Sequence, residues 1–275
     1  MNNKSAFKVS LFLCAVIFSM LSCPLTHEAP DTGMLPDDND SVLFPVKVNE
    51  KWGFMNRQGE LIVEPRFSRV GFFREGMIRV KLGGKWESKE VTVVTDDFFP
   101  SEYTTTHYYH QGGKWGFMDN TGRLVVKCRY DGIGYYSEGL VWVNKGGKEK
   151  YDDGSFPPEL IGGKYGFIDR SGREVIAPKY DNVSDFSEGL AAVKVGDKWG
   201  YIDKKGEMVI EPRFYSRSYF SEGLASFEVT TKDSNGYEYS KYGFIDKKGR
   251  VVIEPEFYHA TGFQNGLACV CSKSR

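Results

Sequence analysis

The sequence has little net charge and few cysteines, and each shortage excludes a class of function. Its 36 basic and 37 acidic residues give a formal net charge of −1. Because nucleic-acid binding needs a clustered basic surface, this balance argues against a nucleic-acid partner. Five cysteines at uneven positions are too few for a disulfide framework. The sequence also lacks nucleotide-binding loops, zinc-type spacings and calcium loops, so no cofactor is expected.

The first 22 residues have the layout of a signal peptide. Lys4 and Lys8 precede the apolar residues 9–21, a run that is too short to span a membrane. The run ends in Met-Leu-Ser-Cys, and the small residue before Cys23 resembles the lipobox of bacterial lipoproteins. That resemblance implies lipidation of Cys23 and attachment to an envelope membrane. The alternative is ordinary secretion, which gives a soluble periplasmic or secreted protein.

Residues 23–41 are rich in Pro, Asp, Thr and Gly and poor in aliphatic side chains. Such a segment cannot bury enough apolar surface to offset its chain entropy, so we interpret it as a flexible tether. One β domain is predicted in residues 42–275. We divide it into units near 42–76, 77–139, 140–189, 190–223 and 224–275.

This region repeats one pattern five times. An aromatic residue and a glycine are followed by a second aromatic, an apolar residue and Asp or Asn, and then by a glycine three residues later. The anchors of the pattern are Trp52, Gly53, Trp115, Gly116, Tyr165, Gly166, Trp199, Gly200, Tyr242 and Gly243. They are spaced 63, 50, 34 and 43 residues apart, so the basic unit has 34 residues and the excess is insertion.

These residues, with the Glu-Pro-Arg-Phe segments at 64–67 and 211–214, resemble the bacterial WG-repeat, or KWG-repeat, family. The resemblance covers nearly all of residues 42–271. It implies a β-rich repeat array. It implies no common enzymatic activity.

The residue pattern predicts the same architecture independently. Asp-x-x-Gly between two apolar segments favours a turn that closes a hairpin, and segments such as residues 76–82 alternate with the period of a half-buried strand. The prolines at 65, 178, 212 and 255 are expected to end a strand or lie on an edge. Each unit is therefore predicted to be a three-stranded β-meander. Since propeller blades usually need four strands, an open twisted stack is favoured over a closed ring.

The recurring aromatic residues are predicted to form the core. A glycine within a strand costs about 0.5–1 kcal/mol, so its recurrence implies that something presses on the backbone, and we expect a neighbouring ring there. The anchor aromatics are expected to form one internal ladder. A second ladder is expected from Phe73, Tyr136, Phe186, Phe220 and Phe263.

The repeated polar residues argue against catalysis, because an active site needs residues that are brought together once. We interpret the recurring Ser-Glu-Gly as a turn whose hydroxyl and carboxylate bond nearby amides, and the chain as a non-enzyme. The recurring pairs are Ser137, Ser187 and Ser221 with Glu138, Glu188 and Glu222. Cys128, Cys269 and Cys271 are predicted to be small packing residues, and no metal site is expected.

Specific function is expected in the insertions, which all fall before an anchor strand and so project from one face. The first, at residues 86–113, is predicted to be a long hairpin. The candidate binding residues are Trp86, Phe98, Phe99, Tyr103, His107, Tyr108, Tyr109, His110, Tyr151, Phe156, Tyr237 and Tyr239. We expect a membrane-tethered protein that binds a protein, peptide or glycan of the envelope. The alternatives are an envelope-polymer hydrolase that uses insertion carboxylates, and a purely structural envelope component.

Overall fold

The folded region consists of β-strands joined by turns. The computed structural model describes residues 42–94, 102–150, 159–232 and 235–271, and every regular element in these residues is a strand. This confirms the all-β class that the two-residue alternation predicted. Within the same ranges no helix is long and apolar enough to cross a bilayer.

The strands follow the five repeats. Repeat 1 (42–76) contains β1 Phe44–Val48, β2 Lys51–Met55 and β3 Leu61–Arg74. Repeat 2 (77–139) contains β4 Met77–Leu82, β5 Lys85–Val94, β6 Glu102–Gln111, β7 Lys114–Asp119, β8 Leu124–Tyr130 and β9 Gly132–Ile133. Repeat 3 (140–189) contains β10 Leu140–Lys145, β11 Lys148–Lys150, β12 Glu159–Ile161, β13 Lys164–Asp169, β14 Glu174–Tyr180 and β15 Asn182–Val183. Repeat 4 (190–223) contains β16 Leu190–Val195, β17 Lys198–Asp203 and β18 Met208–Phe214. Repeat 5 (from 224) contains β19 Leu224–Lys232, β20 Glu238–Asp246, β21 Val251–Phe257, β22 His259–Ala260 and β23 Val270–Cys271.

Three strands of each repeat form the predicted antiparallel meander. In repeat 4, β16 pairs with β17, and β17 pairs with β18. The same order recurs as β10-β13-β14 in repeat 3 and as β19-β20-β21 in repeat 5. We call these the first, second and third strands of a repeat. The five repeats thus form a tandem array of antiparallel sheets, and none of these sheets closes into a barrel.

Backbone pairing also crosses the boundaries between repeats. Short strand β9, at the end of repeat 2, pairs with β10 of repeat 3, and β15 pairs in the same way with β16 of repeat 4. Between repeats 1 and 2, the long strand β3 makes both sets of pairs, so that β1-β2-β3-β4-β7-β8 share one sheet. At these boundaries a repeat therefore covers one edge of the next repeat's sheet.

The glycine after each anchor aromatic faces the backbone of the third strand. The expectation of a neighbouring ring is wrong for the closest contact at all five glycines, although at Gly243 a ring atom of Phe227 also lies 2.9 Å from the Cβ position. In repeat 4, Gly200 alone faces three residues of β18 across a bulge, and a Cβ built on it would lie 2.5 Å from the carbonyl oxygen of Ile210. The corresponding distances are between 2.2 and 2.5 Å at Gly53, Gly116, Gly166 and Gly243. Glycine is needed because any side chain would collide with the bulged strand.

The prolines lie at the same bulges. Pro178, Pro212 and Pro255 lie in β14, β18 and β21, which are edge strands, as predicted. These strands continue past the proline, so the proline marks the bulge and not the end of the strand. Pro65 lies in β3, which has a neighbour on both sides, and there the bulge alone accommodates it.

The Asp-x-x-Gly turns are confirmed. In repeat 3, an Asp169 carboxylate oxygen accepts the backbone N–H groups of Ser171 and Arg173, each at 3.0 Å, and Gly172 has a φ of 82°. The hydroxyl of Ser171 and these amides hold the pKa of Asp169 below its ordinary value. Equivalent bonds are made by Asn56, Asp119, Asp203 and Asp246.

The core is divided into clusters, each of which is completed by the following repeat. Leu190 and Trp199 of repeat 4 pack in one cluster with Ala225 and Ile245 of repeat 5. Trp115, Tyr165 and Trp199 are each buried, but they belong to three different clusters. Among the described residues, therefore, the anchors do not form the single ladder that was expected.

The second set of aromatics packs within its own repeat. Phe186 lies 4.8 Å from Phe167, and Phe220 lies 4.9 Å from Tyr201, measured between ring centroids. The partner in each pair is the aromatic residue that follows the anchor glycine. Tyr136, Phe186 and Phe220 lie in three different clusters, so among the described residues the expected second ladder is not formed. Phe73 is not buried either, because a register shift between Val70 and Phe73 in β3 leaves its side chain 49% exposed.

The Ser-Glu-Gly turns connect successive repeats. The Ser187 hydroxyl donates to the carbonyl of Phe220 at 2.7 Å, and the Glu188 carboxylate accepts the amide of Gly223 at 2.9 Å. The same two bonds join repeat 2 to repeat 3 and repeat 4 to repeat 5. The structural role is as expected, except that the hydroxyl donates to a carbonyl instead of bonding an amide. Repeated polar residues therefore stabilise the array.

Candidate functional site

The three insertions occupy one position in the repeat, between the first and second strands. In repeat 2 the insertion is the hairpin β5–β6, which confirms the predicted hairpin. In repeat 3 it includes the short hairpin β11–β12. In repeat 5 it lengthens β19 and β20, which stay paired from Leu224↔Asp246 to Lys232↔Glu238. We call the surface made by these three insertions the insertion face.

The candidate binding residues are distributed over these hairpins. Trp86 lies in β5, and its Cα partner in the ladder is His110. The other described candidates of this hairpin lie in β6: Tyr103, His107, Tyr108 and Tyr109. Tyr237 precedes β20 and Tyr239 lies in it. Cys23, Phe98, Phe99, Tyr151 and Phe156 lie outside the described residues.

The second insertion is tied to the framework by a buried ion pair. The Lys81 ammonium, on β4, lies 2.7 Å from the carboxylate of Glu149, on β11, and the side chain of Lys81 is only 1% exposed. Burial lowers the pKa of Lys81, and the bond to Glu149 opposes that effect. Because an unpaired buried charge is strongly destabilising, each partner holds the other in place.

The third insertion borders a groove of about 520 Å³. Arg213, in β18, and Tyr215, which follows that strand, lie on one side. Glu228, Thr230 and Glu238 lie on the other. Tyr215 is 66% exposed. The groove therefore combines an open aromatic ring with charged groups of both signs, a composition suited to binding a polar ligand.

Glu228 is held in a fixed position at this groove. Its carboxylate accepts a hydrogen bond from the hydroxyl of Ser240. Burial and the neighbouring Glu228 carboxylate raise the pKa of Tyr242, which lies beside it on β20. These contacts from β20 orient the Glu228 carboxylate. Tyr237 and Tyr239 lie at the periphery of the groove.

Tyrosines replace turn-capping aspartates beside the third insertion. In repeats 2 and 3, Asp131 and Asp181 accept the amides of Gly146 and Gly196 at the turn after the first strand. The equivalent positions in repeats 4 and 5 are Tyr215 and Tyr258. Tyr258 stacks on Tyr239 of the insertion, with ring centroids 5.6 Å apart. The substitution supplies an aromatic surface where repeats 2 and 3 have a cap.

A comparison with protein families finds the WG containing repeat at residues 52–86, 115–148, 165–199, 199–230 and 242–274. The chain belongs to this family. Each matched segment begins at the anchor aromatic of a second strand, so the WG repeat of the family is offset by one strand from the sheets. A comparison with curated proteins gave no match.

Sequence reasoning missed a second row of residues, which crosses the boundaries between repeats 1, 2 and 3. Arg79 of repeat 2 lies opposite Gly71, and Trp142 of repeat 3 lies opposite Gly134. The Arg79 guanidinium lies 4.1 Å from the ring centroid of Tyr135. The sequence contains a signal for this row. Glycine lies opposite the two large side chains, Arg79 and Trp142, whereas Ser184 lies opposite the small side chain of Ala192.

The cysteines of the WG domain differ in environment. Cys128 is half-buried and lies 3.7 Å from the carbonyl oxygen of Val80, and burial raises the pKa of its thiol. Cys269 and Cys271 are exposed free thiols, so the prediction that they pack in the core is wrong. They belong to the end of repeat 5, where residues are exposed although their counterparts in the earlier repeats are buried. Among the described residues, no three His, Cys, Asp or Glu side chains are grouped closely enough to hold a metal ion.

Proposed function

We propose that this protein is a membrane-tethered binding protein of the bacterial envelope. In this proposal the WG repeats are the framework, and the insertion face makes the ligand contacts. The observation that carries the proposal is that all three insertions leave from the same connection. The third one borders a groove that the exposed Tyr215 also lines, and its Tyr239 stacks on Tyr258. Loops on a rigid scaffold are the usual place for recognition.

The framework residues support this division, because packing already uses them. The anchor aromatics are buried or half-buried, and the Ser-Glu-Gly turns are bonded to the next repeat. By contrast, Tyr237 is 73% exposed and Tyr215 is 66% exposed. Exposed tyrosines are favoured contact residues, since one side chain offers both a ring face and a hydroxyl.

We propose binding in preference to hydrolysis. Three carboxylates of the insertions are engaged with a basic neighbour: Glu87 with Lys85, Glu149 with Lys81, and Glu238 with Lys232. A hydrolase would instead need two carboxylates that face a shared substrate position. The proposed ligand is a protein, peptide or glycan of the envelope, in keeping with the near-zero net charge.

The binding face can be tested with a photo-crosslinking residue in the full-length protein. Placed at 237 and activated in native envelopes, it should capture one dominant species. The matched control is the same residue at 209, because Val209 is 42% exposed and lies on β18, away from the insertions. Identical products from both positions, or none from 237, would overturn the proposal.

The membrane anchor is tested separately. Cys23→Ser should prevent lipidation and move the protein from the membrane fraction to the soluble fraction. Cys128→Ser is the control, since a half-buried thiol of the framework has no role in anchoring. Membrane partitioning that is unchanged in Cys23→Ser would exclude the lipoprotein hypothesis and leave the binding face untouched.

A further inference from the structure

A cluster of charged and aromatic side chains lies where repeats 1 to 4 meet, and none of its members belongs to an insertion. We call it the boundary cluster and define it by Arg74, Arg79, Tyr135, Trp142, Asp185 and Arg217. These residues come from four different repeats, and none of them is an anchor of the WG pattern. Trp142 also packs on the anchor Tyr165, with ring centroids 5.6 Å apart, but the WG pattern does not require the charged members of the cluster.

The backbone makes room for two members of the boundary cluster. A Cβ at Gly71 would lie 2.4 Å from the Arg79 side chain, and a Cβ at Gly134 would lie 2.3 Å from the Trp142 indole nitrogen. In the next repeat the corresponding pair is Ser184 and Ala192, where the small side chain lets the serine hydroxyl bond the Ala192 amide. Glycine therefore accompanies the large side chains and fixes where they lie.

Two arginines converge on one tyrosine. The guanidinium of Arg79 lies 4.1 Å from the centroid of the Tyr135 ring, and that of Arg74 lies 5.2 Å from it. Arg79 also donates to the carbonyl of Ile133 at 3.3 Å. Cation–π contacts with the Tyr135 ring hold the two guanidinium planes in place.

The third arginine and the one acid complete the cluster. Arg217 is exposed and lies 5.7 Å from the ring centroid of Tyr219. Burial raises the pKa of Asp185, while Arg217, Arg74 and the Trp142 indole act in the opposite direction. One Asp185 carboxylate oxygen is shielded from solvent and has no hydrogen-bond partner among the described residues.

The charges of the cluster do not balance. The cluster holds three guanidinium groups and one carboxylate, and of these three groups only those of Arg74 and Arg217 act on that carboxylate. Within the described residues neither Arg74 nor Arg217 makes an ion pair. Guanidinium groups beside aromatic rings are suited to bind a carboxylate or phosphate by paired N–H bonds. The neighbouring ring faces can contact an apolar surface of the same ligand.

We propose that the boundary cluster binds an acidic saccharide. Arg74 and Arg217 would bind its carboxylate or phosphate, and the sugar ring would lie against Tyr135 and Trp142. Asp185 would act as an internal counter-ion that the ligand's anionic group replaces. No residue of this site belongs to an insertion, so either proposal can fail while the other stands.

The test is calorimetric titration of the full-length protein at low salt with glucuronic acid, glucose 6-phosphate, inorganic phosphate and glucose. The two acidic sugars should bind, glucose should not, and inorganic phosphate should bind more weakly because it has no ring. Acidic sugars that fail to bind, glucose that binds as well as they do, or phosphate that binds as tightly as glucose 6-phosphate would each overturn the proposal.

Two substitutions with opposite expected effects on affinity identify the site. Arg217→Gln should weaken binding of the better acidic sugar by about tenfold or more, the usual loss when a charge-assisted hydrogen bond is removed. Asp185→Asn should strengthen binding, since it removes a competing negative charge. The control is Arg66→Gln, because Arg66 also lies over a ring, 5.0 Å from the Phe67 centroid, but outside the cluster. Equal effects of Arg217→Gln and Arg66→Gln, or weaker binding by Asp185→Asn, would contradict the assignment.

Discussion

Repeats 2 and 4 connect their first and second strands in very different ways. In repeat 4 the connection is only residues 196–197, whereas in repeat 2 it is residues 83–113 with the hairpin β5–β6. The strands on either side nevertheless pair in the same register. Val195 pairs with Lys198 in one repeat, and Leu82 pairs with Lys114 in the other. The framework is therefore the same whether the connection is a turn or a long hairpin.

This difference separates stability from recognition. Lengthening a loop costs little free energy, about 0.6 kcal/mol for each doubling, so a repeat can take up an insertion without rebuilding its core. Burial of aromatic and aliphatic side chains by the next repeat supplies the stability. Changes in the framework should therefore destabilise the fold far more than equal changes in an insertion.

The largest expected effect is that of an anchor aromatic. Trp199→Ala should lower the free energy of unfolding by about 3–5 kcal/mol, because it deletes a large side chain that is only 8% exposed. Tyr237→Ala is the insertion counterpart, and its effect should stay below about 0.5 kcal/mol, since the side chain is 73% exposed. Chemical denaturation measures both, and similar losses for the two variants would contradict the comparison.

A pair of leucines tests whether the following repeat supplies the burial. Leu190 and Leu267 occupy the same position of the WG repeat, but they are 8% and 76% exposed. Leu190→Ala should cost about 2–5 kcal/mol of unfolding free energy, and Leu267→Ala less than about 0.5 kcal/mol. If Leu267→Ala destabilised the protein as strongly as Leu190→Ala, the clusters would not depend on the next repeat.

The local features of the fold could be predicted from sequence. The Asp-x-x-Gly turn and the alternation of strands depend on neighbours in the chain, and both were correct. The role of Gly200 could not be predicted, because the carbonyl of Ile210 reaches it through a bulge in the partner strand. The exposure of Phe73 likewise depends on a register shift that leaves no local signal.

The candidate sites were harder to predict for the same reason. Insertions are visible as excess length, and their shared position followed from the repeat spacing. The boundary cluster requires knowing that Gly71 lies opposite Arg79 and that Arg79 reaches Tyr135 in the next segment. Those relations appear only when neighbouring strands are aligned in space.

A smaller effect is expected for the bonds between repeats. Ser187→Ala removes the hydroxyl that donates to Phe220 at 2.7 Å and leaves that carbonyl without this donor. The free energy of unfolding should fall by about 1 kcal/mol. The control is Ser216→Ala, since that hydroxyl makes no hydrogen bond to the described residues, and its effect should be smaller. A Ser187→Ala variant as stable as Ser216→Ala would show that the serine ladder adds nothing.

The most direct test of the division between framework and insertions is to remove the largest insertion. Residues 83–113 are replaced by Gly-Asp, the connection that repeat 4 uses at residues 196–197, so that Leu82 and Lys114 keep their pairing. Thermal unfolding is then compared with that of the natural protein. The account predicts a cooperative transition within about 4 °C of the natural midpoint, which corresponds to a change of about 1 kcal/mol for a domain of this size. An unfolded protein, or a midpoint lower by more than about 10 °C, would show that the hairpin β5–β6 is part of the core and would contradict the account.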